Sequence, residues 1–173
     1  TSADFSLGQA RPNSSLWGEF TGFIDDFRVW ERSLSEKEIE IINSTTTQLS
    51  NSSTNSGSSL IANWKLDEPS YNGTSDEVID GSGNEYNGSA LGAVASANGK
   101  FSKAAEINGN ESIDFGNIDV LDNREQFSLS MWVNPNSLTT RNWIIGNWSA
   151  GNNSNQFAIR ATNGASDEIF IFF

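Results

Sequence analysis

Cysteine and histidine are both absent from this 173-residue chain, and the two absences exclude whole classes of chemistry. Without them there is no thiol nucleophile, no disulfide, no structural zinc and no imidazole-based proton transfer. Cationic residues are also scarce. Ten Lys and Arg stand against 22 Asp and Glu, a formal charge of −12. That balance repels phosphate backbones and anionic lipid, so neither nucleic acid nor membrane insertion is expected. Calcium and cationic groups suit it better. No apolar run approaches the length that spans a bilayer. A cysteine-free, acidic composition points to an extracellular or cell-surface protein of prokaryotic type.

Hydrophobic residues reach only 36%, with Asn, Ser, Thr and Gly filling the difference. Aromatic residues, 11% with six Trp, compensate, because a few large side chains supply much of a core. The clearest strand is Gly22-Phe23-Ile24-Asp25-Asp26-Phe27-Arg28-Val29-Trp30. Its alternation puts Phe23, Asp25, Phe27 and Val29 on one face and Ile24, Asp26, Arg28 and Trp30 on the other. Ser35 and Glu38 then form a capping box that opens a short helix through Ile39, Ile41 and Ile42 to about Asn43. Residues 44–59 are Asn, Ser, Thr, Gln and Gly around a lone Leu49, a polar linker too poor in apolar groups to pack. Strand character resumes at residues 60–68 and recurs at 127–135, 143–146, 156–160 and 168–173. Three segments follow: 1–43, 44–59 and 60–173.

Two of these segments carry a shared resemblance. Gly22 to Trp30, followed by Arg32-Ser33-Leu34-Ser35-Glu36-Lys37-Glu38-Ile39, resembles the closing strand and capped helix of laminin-G-like domains of concanavalin-A-like jelly-roll type. Leu60-Ile61-Ala62-Asn63-Trp64-Lys65-Leu66-Asp67-Glu68 and Asp80-Gly81-Ser82-Gly83-Asn84 are similar to the opening of the same family. So are Gly99 to Gly109, with Ser102 where the family often has Gly, and Phe127 to Pro135. The order is inverted, closing strands first, and the family's middle strands are missing. The resemblance implies an all-β, antiparallel two-sheet sandwich with one short helix. It also implies that Trp30, Trp64 and Trp132 sit at core positions. The inversion leaves three arrangements open: a bridge between tandem repeats, a circular permutant whose halves fold together, or one repeat of a longer fibrous protein.

The resemblance further implies a structural calcium held by Asp25 with Asp67 or Glu68 and Asp80 or Asn84. Hard oxygens from carboxylates, amides and Gly-rich turns suit that ion. The plainer reading is that these acids cap turns. Trp143 and Trp148 with Asn152 form a candidate sugar-stacking site, weighed against ordinary burial of indoles. Asn13, Asn43, Asn51, Asn72, Asn87, Asn110, Asn147 and Asn152 each begin a glycosylation sequon. Catalysis is not expected. The carboxylate pairs Glu111/Asp114 and Glu77/Asp80 are three residues apart, which places each pair on opposite faces of a strand. The expected function is a non-catalytic structural or adhesive repeat, a filament subunit completed by strands of neighbouring copies. The alternative is a carbohydrate-binding module of a secreted polysaccharide-degrading enzyme.

Overall fold

The computed structural model describes residues 4–9, 20–44, 59–92, 94–118, 121, 125–137, 142–147, 157–162 and 168–172. Its elements are β1 (Phe5–Leu7), β2 (Thr21–Trp30), α1 (Glu36–Ser44), β3 (Leu60–Trp64), β4 (Ser89–Leu91) and β5 (Ala95–Asn98). They continue with β6 (Lys103–Asn108), β7 (Ser112–Asp114), β8 (Ser128–Pro135), β9 (Asn142–Asn147), β10 (Phe157–Thr162) and β11 (Glu168–Phe172). Two antiparallel sheets pack as a sandwich. One runs β11-β10-β9-β1-β7-β4, and the other runs β3-β2-β6-β5 with β8 also on β2. The expected all-β sandwich with one short helix is the observed fold.

The first segment supplies interior strands to both sheets. β1 lies between β7 and β9. β2 takes β8 along residues 22–30, while β6 pairs with its residues 21–24 and β3 with its residues 27–30. Because β8 overlaps both ranges, β6 and β3 must share the opposite edge of β2, end to end. Every strand paired with β1 or β2 comes from residues 60–173 of the same polypeptide.

The core holds the segments together through packed aromatic rings. Phe5 of β1 and Phe27 of β2 lie 5.8 Å apart, Phe27 and Trp64 of β3 5.1 Å, and Trp64 and Phe115 3.9 Å. All of them belong to one buried cluster with Ile24, Val29, Ile107 and Ile145. Burial of so many large rings explains how a chain with few aliphatic residues closes a core.

The simple alternation expected of β2 does not survive. Between the pairs Asp25–Trp132 and Arg28–Ser130, β2 uses two residues where β8 uses one. Asp26 takes a left-handed backbone at φ 52°. This bulge inverts the parity of the strand, so that Ile24, Phe27 and Val29 all reach the core cluster. Asp is among the few residues with a side chain that tolerate such a conformation. β3 departs in another way. All five of its residues are buried, as befits a strand covered on both faces.

Helix α1 starts where the capping box predicts. The Ser35 N–H donates to Glu38 Oε2 at 2.9 Å, and the Glu38 N–H donates to Ser35 Oγ at 3.4 Å. Arg32 clamps the same carboxylate through two nitrogens, at 2.9 and 2.6 Å. None of the helix is buried, and Ile39 is 55% exposed.

Candidate functional site

The break between β3 and β6 along the edge of β2 is where Asp25 stands. Strand pairing lapses there, so the 99–103 turn has backbone donors with no ladder partner. Asp25 Oδ2 accepts the Phe101 N–H at 2.8 Å, and Asp67 Oδ1 accepts the Lys103 N–H at 2.9 Å. Gly99 makes the approach possible. A Cβ there would meet Lys103 O at 2.3 Å and Asp25 Oδ2 at 2.7 Å.

Asp25 is only 2% exposed, and its Oδ1 has no hydrogen-bond partner among the described residues. Burial pushes its carboxyl up from 3.8 to about 6. The Phe101 N–H opposes that rise, while Asp26 and Asp67 add to it. Asp26 is also raised by burial, against the pull of Arg28. The Arg28 guanidinium meets Asp26 Oδ1 at 2.9 Å with both side chains buried.

That pair begins a chain of polar contacts. Arg28 Nε donates to Asn63 Oδ1 at 3.1 Å, and the Asn63 N–H donates to Asp80 Oδ1 at 2.9 Å. The Asp80 carboxylate also accepts the Ser82 N–H at 2.8 Å and the Tyr86 N–H at 3.2 Å, and its Oδ2 lies 2.7 Å from the Ser82 hydroxyl. The Asn84 amide donates to Leu60 O and Ile61 O.

The four residues named for calcium therefore fall into two pairs. Asp25 and Asp67 hold the 99–103 turn, and Asp80 and Asn84 hold the 80–87 loop against β3. Among the described residues no group of three or more Asp, Glu, His or Cys is arranged to hold a metal ion. Glu68, the other candidate, accepts the Ile79 N–H and the Tyr71 hydroxyl.

Of the sugar-stacking candidates, Trp148 and Asn152 lie outside the described residues. Trp143 is 6% exposed and has the Arg160 guanidinium 5.5 Å from its ring centre, so it offers a sugar little open face. Among the sequons, Asn13, Asn51 and Asn152 are outside the described residues. Asn43, Asn72 and Asn110 are exposed and Asn87 is partly so. Asn147 is 8% exposed within β9, between β1 and β10, and its amide is the least accessible of those described.

A second feature was not anticipated. Trp132, expected in the core alongside Trp30 and Trp64, is only half-buried, whereas the other two are fully buried. It lines a cavity of about 340 Å³ with Phe23, Asp25, Asn98, Lys100 and Asn134. Lys100 Nζ sits 4.6 Å from the Trp132 ring centre, and Phe101 meets the indole edge-on at 6.0 Å. The signal was the alternation of β8. Leu129, Met131 and Val133 pack on the core, which turns Trp132 to the other face. No protein-family model matches the chain, and neither the curated proteins nor the solved structures give a match.

Proposed function

We propose that this chain is a laminin-G-like structural and adhesive module of an extracellular or cell-surface protein, without catalytic activity. The observation that carries the reading is the use made of the carboxylates. Asp25, Asp67, Glu68 and Asp80 each accept backbone N–H groups of neighbouring turns, and Glu77 accepts those of Asn72 and Gly73. Their chemistry is spent on holding loops, which suits a scaffold. The family-like segments, though in inverted order, contribute to one sandwich of the same polypeptide, which supports the laminin-G-like part of the reading and not completion by neighbouring copies.

The cavity beside Trp132 favours one rival, the carbohydrate-binding module. An indole, a phenyl ring and two Asn amides around a concavity suit a pyranose. A glycan array, run with the wild type and with Trp132→Ala, separates the two. The structural reading expects no glycan retained by either protein. Retention by the wild type that is lost in the variant would establish the sugar site instead.

A further inference from the structure

Among the described residues β8 pairs with β2 alone, so within that set one edge of an eight-residue strand has no ladder partner. Proteins usually blunt such an edge with Lys, an inward charge or an overlying element. β8 has no charged residue, and its one Pro stands at its end. Its core-facing residues are less covered than those of β2. Leu129, Met131 and Val133 are only partly buried, whereas Ile24, Phe27 and Val29 on the adjacent β2 are fully buried.

Beside this edge runs a groove of about 820 Å³ between β8 and α1. Ile39 and Ile42 of the helix and Met131 and Trp132 of the strand give it an apolar floor, and Glu36 and Glu40 give it an acidic rim. No Lys or Arg is among the described residues lining it. We propose that this edge and groove bind an extended segment of another protein, added as a strand to β8, in which apolar residues alternate with Lys or Arg. The backbone edge supplies affinity, and the groove selects side chains. Charge decides the occupant. A second copy would bring another −12 of net charge to an acidic rim. The 44–59 linker has no Lys or Arg and one large apolar residue, Leu49. The groove and the 340 Å³ cavity share Trp132, but the proposal rests on the β8 edge and the α1 residues, which do not line the cavity.

The test titrates the full chain with a capped seven-residue peptide alternating lysine and valine, and with its glutamate–valine counterpart, while following amide shifts and hydrogen exchange. The expected result is new protection at residues 128–135 with the lysine peptide only. Reversing the rim in Glu36→Lys/Glu40→Lys should weaken binding about tenfold at low salt, the scale of two exposed charge pairs inverted. Ile39→Ser, at an exposed position, should weaken binding with no change of charge. Equal binding of both peptides, or protection away from β8, overturns the proposal. So does protection, in the free chain, of those amides of residues 128–135 that point away from β2. If that protection is independent of concentration, the chain covers its own edge. If it grows with concentration, a second copy does so.

Discussion

Replacing Asp25 by Asn tests the site through its dependence on pH. In the wild type, Asp25 Oδ2 accepts the Phe101 N–H, while Oδ1 is buried without a partner among the described residues. The amide oxygen of Asn can accept the same bond, so the substitution removes the charge and keeps the turn. The sign follows from linkage. An acid whose folded pKa is about 6 against an ordinary 3.8 binds its proton more tightly in the folded chain. Stability therefore falls as pH rises between those values and levels off above them. The span corresponds to roughly 3 kcal/mol, or about 6–12 °C in Tm for a chain of this size. The new amide has unpaired N–H groups of its own, at about 1–3 kcal/mol, but that cost does not vary with pH. The difference between the two proteins is thus the quantity to read. Denaturant melts from pH 4 to 8 in chelator should show the variant gaining about 2.5 kcal/mol on the wild type, since pH 4 already lies just above the unfolded value. Parallel profiles would refute the buried-charge argument. A variant that loses ground as pH rises would refute it more strongly. That result would mean Asp25 is held ionised by the protein's own groups, since the chelator removes calcium; a rise in the wild-type Tm when calcium replaces chelator would test the ion separately.

Three further outcomes are expected. Ser102 holds a left-handed backbone at φ 50° on an exposed turn, so Ser102→Gly should stabilise the chain by about 0.5–1 kcal/mol in equilibrium denaturation; a loss of stability would contradict the turn geometry. Gly22 has φ 149°, and a Cβ there would meet Asn134 O at 2.4 Å and Pro135 Cα at 2.7 Å. Gly22→Ala should therefore cost on the order of 3 kcal/mol and loosen the start of the β2–β8 pairing, seen as faster exchange there. Glu38 is held down to about 2 by Arg32 and by Ser35. Its contribution to the start of α1 is present above the ordinary 4.5 and is lost as pH falls toward 2. The Ser35 and Glu38 amide shifts should titrate well below pH 4.5, and a midpoint at 4.5 would disprove the clamp.

Local chemistry was legible where it depends on neighbours in sequence. The capping box of Ser35 and Glu38 defines the helix start because both partners lie within one turn. Strand character followed from alternating aromatic residues, and the two-sheet sandwich from the resemblance to laminin-G-like domains. Parity in β2 was hidden, because Asp25-Asp26 reads as ordinary alternation and only pairing with β8 reveals the extra residue. β4, β5 and β7 escaped notice for want of signal. β5 reads Ala-Ser-Ala-Asn, with none of the branched or aromatic residues that mark strands. The candidate acids were identified as a set, yet their partition into two pairs depends on the gap between β3 and β6. That gap exists only in three dimensions. Trp143 and Trp132 exchanged roles for a similar reason, since burial of an indole depends on which face of its strand is covered.

The bulge at Asp26 makes sense once β2 is seen to satisfy three strands together. Its apolar side chains alone would tolerate a shift along β8, because Ile24, Phe27 and Val29 are similar enough to exchange places in a cluster of large rings. The polar chain would not. Arg28 and its carboxylate partner Asp26 both belong to β2, so that pair moves with the strand. Arg28 reaches Asn63 of β3 in one register only, and Asn63 in turn fixes Asp80. A slip of two residues would break the buried Arg28–Asn63 bond, at about 1.5–3 kcal/mol for a hydrogen bond to a charged group. That bond between strands makes other registers worse. A chain whose first segment must find the centre of a sheet built by its second, across a polar linker, has particular need of such a device.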